Sequence, residues 1–196
     1  GQDMAGSLPG ARFLKTYVRE FMSLNLADVP VLPERTLRRI SIQEWGEHHQ
    51  EATAHLIAVS YRGHRDSQIN DQYRSVAGAR RFLYNIVQYP GCGSFFKPAS
   101  LVAFDLDTGA LCGLSLTSFV AHQVGHITQI CVAPHVRGTG LGYEMLRRSL
   151  LTLRASGCRK ASLTVTSANR EAVRLYRDMG FQSRRSFMAN VWEGFG

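Results

Sequence analysis

The sequence predicts an α/β fold in which helices flank a mixed, mostly antiparallel central sheet. One observation is a β-branched apolar run that begins at His126 and ends at Pro134, because proline has no N–H for the next ladder bond. A second is the helical spacing of apolar residues in the segment 143–154 that follows. A third is a hairpin signal, Asp107-Thr108-Gly109, between two apolar runs before the central strand.

Apolar periodicity places the other elements along the chain. Strands are predicted at residues 36–42, 99–105, 110–119, 160–166, 181–183 and 186–192, and helices at residues 11–26, 43–62, 75–89 and 168–179. The order is one strand, two helices and a meander, followed by strands that alternate with helices. Such an order predicts one mixed sheet with helices packed on it.

Length and composition suit a domain of residues 37–196 behind an N-terminal extension of residues 1–36. The extension contains the amphipathic helix of residues 11–26 and a connector, residues 28–33, that its prolines keep extended. This helix packs on the domain that follows, belongs to an upstream domain or makes a homodimer contact. The sequence leaves these three interpretations open.

The charge balance predicts an anionic ligand or partner. The chain has 23 Lys and Arg against 15 Asp and Glu, a formal net charge of +8. A phosphate-rich coenzyme meets that requirement. The basic residues are scattered as single or paired arginines without a long basic run, which argues against nucleic acid as the partner.

The cysteines predict a reducing compartment. Those at positions 92, 112, 131 and 158 have neither Cys-x-x-Cys spacing nor the spacing of a zinc site. They are expected to be free thiols in a cytoplasmic protein. No apolar run reaches transmembrane length and no signal peptide is visible, so no membrane partner is expected.

A glycine-rich turn between the central strand and the next helix suits a phosphate group. Gly138, Gly140 and Gly142 let the backbone approach a bulky anion, and the first N–H groups of a helix lack partners within it. Arg137 adds a charged donor. The absence of Gly-Lys-Ser/Thr excludes a P-loop, and the absence of a carboxylate after the 160–166 strand argues against NAD.

Two blocks resemble the GNAT superfamily of acyl-CoA N-acyltransferases. The first matches the family's cofactor loop, Arg/Gln-x-x-Gly-x-Gly/Ala, with Arg137, Gly138, Thr139, Gly140, Leu141 and Gly142. The second matches its Asn-x-x-Ala-x-x-Leu-Tyr-x-x-x-Gly-Phe signature with Asn169, Ala172, Leu175, Tyr176, Gly180 and Phe181. The resemblance is detailed over residues 101–184 and only architectural over residues 39–100.

The resemblance implies the GNAT fold and an N-acetyltransferase that moves an acetyl group from acetyl-CoA (coenzyme A) to a primary amine. Direct attack in a ternary complex is implied, with Tyr176 as the general acid that protonates the thiolate. The family's pattern assigns the coenzyme to turn residues 137–142, Asn169 and the central-strand backbone at Ile130, Cys131 and Val132. The structural alternatives are that Tyr176 only packs on Phe181 and that Asn169 only caps the next helix.

The general base is predicted at His126. The Glu that many family members have early in the central strand is missing, and His126 lies six residues before Val132 on the same strand face. A histidine pKa of about 6.5 suits proton removal from an ammonium, directly or through water. The alternative is an exposed histidine at a strand start. No metal is predicted, because two histidines, His122 and His126, without a carboxylate make a poor site.

The acceptor is predicted to be a small-molecule or peptide amine, bound by the first two helices, the polar loop 64–73 and the last strand. Amino acid, polyamine, aminoglycoside, protein N-terminus and lysine all remain open. Two other functions compete with the enzyme. One is a non-catalytic acyl-CoA-binding regulatory module, which the missing Glu favours; the other is a basic nucleic-acid-binding protein, which predicts salt-sensitive binding.

Overall fold

The computed structural model describes residues 13–30, 32–61, 74–89 and 93–193, so the predicted loop 64–73 lies outside the described residues. The described strands are β1 (Phe13–Asn25), β2 (Ile40–Glu44), β3 (Ser94–Phe95), β4 (Leu101–Asp105), β5 (Leu111–Ala121), β6 (Val124–Val132), β7 (Lys160–Thr166) and β8 (Gln182–Glu193). The described helices are α1 (Gln50–Ser60), α2 (Val76–Gln88), α3 (Leu141–Ala155) and α4 (Arg170–Asp178).

The strands form one sheet in the order β2-β4-β5-β6-β7-β1-β8, with the short β3 paired to β5. Every pair is antiparallel except β6 with β7, which is parallel. The predicted α/β fold, with a mixed and mostly antiparallel sheet flanked by helices, is confirmed. In the described part of the chain, no helix has the length and apolar character that crossing a membrane requires.

Different helices cover the two faces of the sheet. Consecutive strand residues point to opposite faces, and Cys112 and Leu114 of β5 pack into the apolar core that α1 and α2 share. Ser115 points the other way, where its hydroxyl lies 3.3 Å from that of Ser149 on α3. A second core joins Leu150 of α3 to Val173 of α4. Helices α1 and α2 therefore lie on one face, and α3 and α4 on the other.

The predicted N-terminal helix of residues 11–26 is wrong, because the chain forms strand β1 there. Leu14 and Val18, on the supposed helical face, are 49% and 44% exposed, whereas Met22 and Leu24 are buried at a spacing of two residues. Strand β1 lies between β7 and β8, which pair with its two edges. These non-local hydrogen bonds satisfy its backbone and override the local helical spacing.

The last strand is continuous where the sequence predicted two strands. β8 runs through the predicted break at residues 184–185, and its register against β1 shifts there. Phe21 lies opposite Arg185 while Met22 lies opposite Ser183, so Arg184 is the extra residue of a β-bulge. The interruption in the apolar pattern therefore marks a bulge within one strand.

Most other boundaries lie within a few residues of the prediction. β7 begins and ends at the predicted residues, 160 and 166. The first helix starts later than predicted, at Gln50, because β2 continues to Glu44 and a 3-10 turn at Glu47–His49 precedes the helix. Capping fixes the start of α2, where the hydroxyl of Ser75 accepts the N–H of Gly78 at 3.0 Å.

Candidate active site

The main feature of the site is a gap between the parallel strands β6 and β7. The two strands pair over their first three residues, as far as His126 and Ser162. They then continue to Val132 and Thr166 without pairing to each other, and a groove of about 720 Å³ lies there. Backbone groups that face such a groove need hydrogen-bond partners from solvent or from a ligand.

The backbone of β6 presents alternate residues to this groove. Just after β6, the N–H of Ala133 donates to the carbonyl of Cys112 in β5 at 2.8 Å, and Cys131 belongs to the same ladder. Since successive N–H groups of a strand point to opposite edges, those of Ile130 and Val132 point toward the gap. All three residues predicted on this strand, from 130 to 132, line the groove.

The glycine turn leads directly into α3. Gly138 and Gly140 have φ angles of 77° and 90°, in the left-handed region that favours glycine. Gly140 is the N-cap of α3 and no side chain caps it; the first helical bond runs from the N–H of Glu144 to its carbonyl at 3.0 Å. The N–H groups of residues 141–143 therefore have no acceptor within the helix, which makes this end suited to an anion.

The structure brings five of the six predicted turn residues to the groove. These are Arg137, Gly138, Gly140, Leu141 and Gly142. Thr139 is not among the lining residues. Its hydroxyl donates instead to the carbonyl of Val136 at 2.7 Å, which fixes the shape of the turn.

Arg137 connects the turn to the end of α1. One of its terminal nitrogens donates to the carbonyl of Ser60 at 3.0 Å. Ser60 ends α1, where the helix dipole places partial negative charge. Ser60 and the next residue, Tyr61, also line the groove. The side chain that the sequence assigns to a phosphate contact therefore also holds α1 beside the groove.

Tyr176 and Asn169 reach the groove from the second sequence block. Tyr176 on α4 is only 7% exposed, and its ring meets that of Phe181 edge-on, with centroids 6.1 Å apart. Asn169 is the N-cap of α4, and its Oδ1 accepts the N–H of Ala172 at 3.4 Å. The two structural alternatives are both present, yet both residues also line the groove. Each of these two residues therefore stabilises the fold and also lines the groove.

His126 lies where β6 and β7 are still paired. Its Nδ1 is 2.8 Å from the hydroxyl of Ser162, and its ring is parallel to that of Phe21, with centroids 6.4 Å apart. It is not among the groove-lining residues, so its role as base stays a prediction. Within the described residues, no group of three or more His, Cys, Asp or Glu is placed to hold a metal ion.

Several side chains at the groove were not predicted as site residues. Arg35 comes from the connector between β1 and β2, and Arg19 and Thr164 come from neighbouring strands. Gln129 on β6 donates a hydrogen bond to the hydroxyl of Tyr61, which follows α1. None belongs to a local motif. Arg19 could have been predicted only if β1 had been recognised as a strand of the central sheet.

The thiol of Cys131 is unsuited to nucleophilic attack. Burial raises its pKa to about 12, so the thiol is protonated at neutral pH. Only the thiolate is an effective nucleophile. Cys131 is therefore expected to have a structural role and not that of a nucleophile.

A pH dependence of stability is expected from His126. Burial lowers the pKa of its imidazole, so below the usual pKa of about 6.5 the unfolded chain binds a proton that the folded protein resists. The contribution of the neutral imidazole to the free energy of unfolding is fully present above about pH 6.5, the pKa of the unfolded chain. It decreases as the pH falls from there toward the lowered pKa of the folded protein. The free energy of unfolding, measured with urea, should therefore decrease less between pH 7.5 and pH 5.5 for His126→Gln than for wild type.

His122→Gln is the matched control, since His122 is exposed in the turn before β6. It should keep the wild-type difference between the two pH values. A His126→Gln variant that keeps the full difference would contradict this account of the partly buried imidazole.

Comparison with characterised sequences gives a family match. The Acetyltransferase (GNAT) family profile matches residues 67–181. The chain is similar to the mycothiol acetyltransferase of Mycolicibacterium gilvum, with 28% identity over 177 residues, which cover 85% of this chain and 53% of that protein. It is 41% identical over 93 residues to the mycothiol acetyltransferase of Thermobispora bispora, covering 44% of this chain and 31% of that protein. The chain therefore spans about half the length, or less, of these relatives.

Comparison with solved structures supports the fold. The GCN5-related N-acetyltransferase from Sphaerobacter thermophilus matches with a TM-score of 0.69 and 17% identity. The match covers 95% of this chain and 53% of that chain. At this identity the similarity concerns the fold alone.

Proposed function

Because this chain belongs to the acetyltransferase (GNAT) family, we propose that it is an N-acetyltransferase that uses acetyl-CoA and a primary amine. The observation that carries the proposal is the groove between β6 and β7. Its walls offer separate groups to the two parts of the donor: a helix start for phosphates and an unpaired strand edge for the thioester arm.

The residues at the groove fit a CoA thioester. The unpaired N–H groups at the start of α3 and the left-handed Gly140 suit a diphosphate. The outward-pointing backbone groups of Ile130 and Val132 suit the amides of a pantetheine arm, which would extend the ladder where β7 departs. The groove volume of about 720 Å³ is within the usual range for ligand pockets, about 300–1,000 Å³.

The proposed reaction is direct attack of the amine on the thioester. The nitrogen lone pair forms the C–N bond, the C–S bond breaks, and its electron pair leaves on sulfur. The backbone N–H of Ile130 stabilises the oxyanion, and the N–H of Val132, two residues nearer the glycine turn, is left for the pantetheine arm. The phenol of Tyr176 gives its proton to the sulfur as general acid, and the proton that the attacking nitrogen loses on becoming an amide restores the phenol. The raised pKa of the Cys131 thiol supports direct attack over an acyl-cysteine intermediate.

The acceptor amine must first lose a proton. We keep His126 as the proposed base, acting through water because its imidazole does not line the groove. Arg19, Thr164 and the hydrogen-bonded pair of Tyr61 and Gln129 offer polar contacts to the acceptor. Since the curated relatives are named mycothiol acetyltransferases, a small-molecule amine is the acceptor class that we propose first, with a peptide amine as the alternative.

A non-catalytic acyl-CoA-binding module is the second candidate. The observation in its favour is that β6 has no carboxylate and that His126 lies outside the groove. Such a module would bind the donor but release no CoA in the presence of amines. Turnover therefore separates the two candidates.

Location and protein contacts complete the proposal. The free thiols of Cys112, Cys131 and Cys158 suit a cytoplasmic location. Exposed apolar side chains at Leu14 and Val18 on β1 support a contact there with a second copy or an upstream domain.

Binding of acetyl-CoA is the first test of the proposed function. Calorimetric titration should give micromolar affinity for wild type and no binding for Gly140→Trp, whose side chain would start 2.9 Å from Arg35 Cδ and obstruct the groove. Gly157→Trp is the matched control. Gly157 also has a left-handed φ, 88°, but a side chain there meets open space at the other end of α3. An absence of binding by wild type would remove the acetyltransferase proposal.

Tyr176→Phe tests the general acid. Removing the hydroxyl should lower kcat at least about 100-fold, the lower end of the usual contribution of a general acid, while the dissociation constant of acetyl-CoA stays within a few-fold. Release of CoA thiol from acetyl-CoA with a panel of amines provides the measurement. Cys131→Ala, as the comparison, should keep kcat within a few-fold. Unchanged turnover in Tyr176→Phe would show that another group protonates the sulfur.

A further inference from the structure

The connector between β1 and β2 crosses the start of α3 and is attached to it by two hydrogen bonds. The hydroxyl of Tyr143 donates to the carbonyl of Pro33 at 2.9 Å, and the N–H of Arg35 donates to Glu144 Oε1 at 2.8 Å. Tyr143 and Glu144 both belong to the first turn of α3. The connector therefore has a defined position beside the glycine turn.

Glu144 is the anchor of this attachment. Its side chain has no exposed surface, and it accepts two hydrogen bonds from Arg147, at 2.8 and 3.1 Å, and one from Arg148 at 2.9 Å. With the N–H of Arg35, four donors satisfy the carboxylate, and two guanidinium groups balance its charge. The anchor therefore adds no unbalanced negative charge beside the start of α3.

The side chain of Arg35 extends from this anchor over the glycine turn. Its guanidinium carbon lies 4.8 Å from the ring centroid of Tyr143, a cation–π distance. Its Cδ lies where a side chain on Gly140 would begin, 2.9 Å from the ideal Cβ position. Arg35 lines the groove together with Tyr143 and Gly140, and no carboxylate in the described ranges forms an ion pair with its guanidinium. The guanidinium is thus oriented by Tyr143, and no described carboxylate neutralises it.

We propose that Arg35 binds a phosphate of the donor's ADP group and makes the site selective for CoA thioesters over acyl-pantetheine. The inference rests on the proposed function, since it assigns a residue to the donor of that reaction. The guanidinium of Arg35 and the N–H groups at the start of α3 lie beside the same part of the groove. An anion bound there would accept hydrogen bonds from both. Glu144 and Tyr143 act as positioning residues, because they hold Arg35 rather than contact the donor.

The test compares Arg35→Ala with Arg39→Ala as the matched control. Arg39 lies in the same connector, but its exposed guanidinium pairs with Asp107 at 3.2 Å, near the β4–β5 turn. Calorimetry with CoA should give a dissociation constant at least tenfold higher for Arg35→Ala, in line with the loss of a charge-assisted hydrogen bond, and an unchanged one for Arg39→Ala. Binding of pantetheine, measured by NMR at millimolar concentration, should be the same in all three proteins.

Titration with 3′-dephospho-CoA identifies the phosphate. If the tenfold loss persists with this ligand, Arg35 binds the diphosphate; if the loss disappears, Arg35 binds the 3′-phosphate. Arg35→Lys, which keeps the charge without the planar fork, should lie between wild type and Arg35→Ala and guards against misfolding of the smaller variant.

Two results would overturn the inference while leaving the proposed function intact. One is CoA binding by Arg35→Ala within twofold of wild type. The other is an equal loss for CoA and pantetheine, which would mean that Arg35 acts only through the fold. Failure of wild type to bind CoA would be a different result, since it would remove the proposed function itself.

Discussion

The early end of the parallel pairing between β6 and β7 is the constraint on which the site depends. A strand in the middle of a sheet normally satisfies both edges with neighbouring strands. Here the inner edge of β6 is left free beyond His126, while its other edge stays paired to β5 as far as Val132. Pairing with β5 therefore fixes the position of β6, while the backbone groups at its unpaired edge are available to a ligand.

Contacts fix the chain at both ends of the gap. At the paired end, the carbonyl of Gln123 accepts the N–H groups of Arg159 and Lys160 at 2.8 and 3.2 Å, which keeps the starts of β6 and β7 together. At the other end, Arg137 joins the glycine turn to Ser60 at the end of α1. Strand β1 pairs with β7 on its far edge, so β7 can diverge from β6 without losing all of its ladder.

Local features of the site could be predicted from the sequence because short-range chemistry determines them. The left-handed glycines at 138 and 140 and the cap at Asn169 follow from residue type and neighbours within a few positions. The fold class followed from the order of the elements. The family resemblance then related the two blocks, which the fold brings to one groove.

Features that depend on distant parts of the chain were not predicted. Strand β1 has a partly helical spacing, and only its pairing with β7 and β8 decides its structure. Arg35 reaches the turn because buried Glu144 holds its backbone from 109 positions away. His126 was predicted as the base because it lies six residues before Val132 on the same strand face, whereas in the structure it precedes the point where β6 and β7 diverge. The spacing of residues in the sequence does not predict where the pairing of two strands ends.

Hydrogen exchange of the β6 amides, followed by NMR with and without acetyl-CoA, tests the account most directly. In the free protein, the N–H groups of Ile130 and Val132 should exchange faster than that of Cys131, which belongs to the ladder with β5. Acetyl-CoA should slow the exchange of Ile130 and Val132 and leave Cys131 unchanged, because the donor replaces the missing strand at that edge. Exchange at Ile130 and Val132 that saturating acetyl-CoA does not alter would contradict the claim that the open edge of β6 binds the donor.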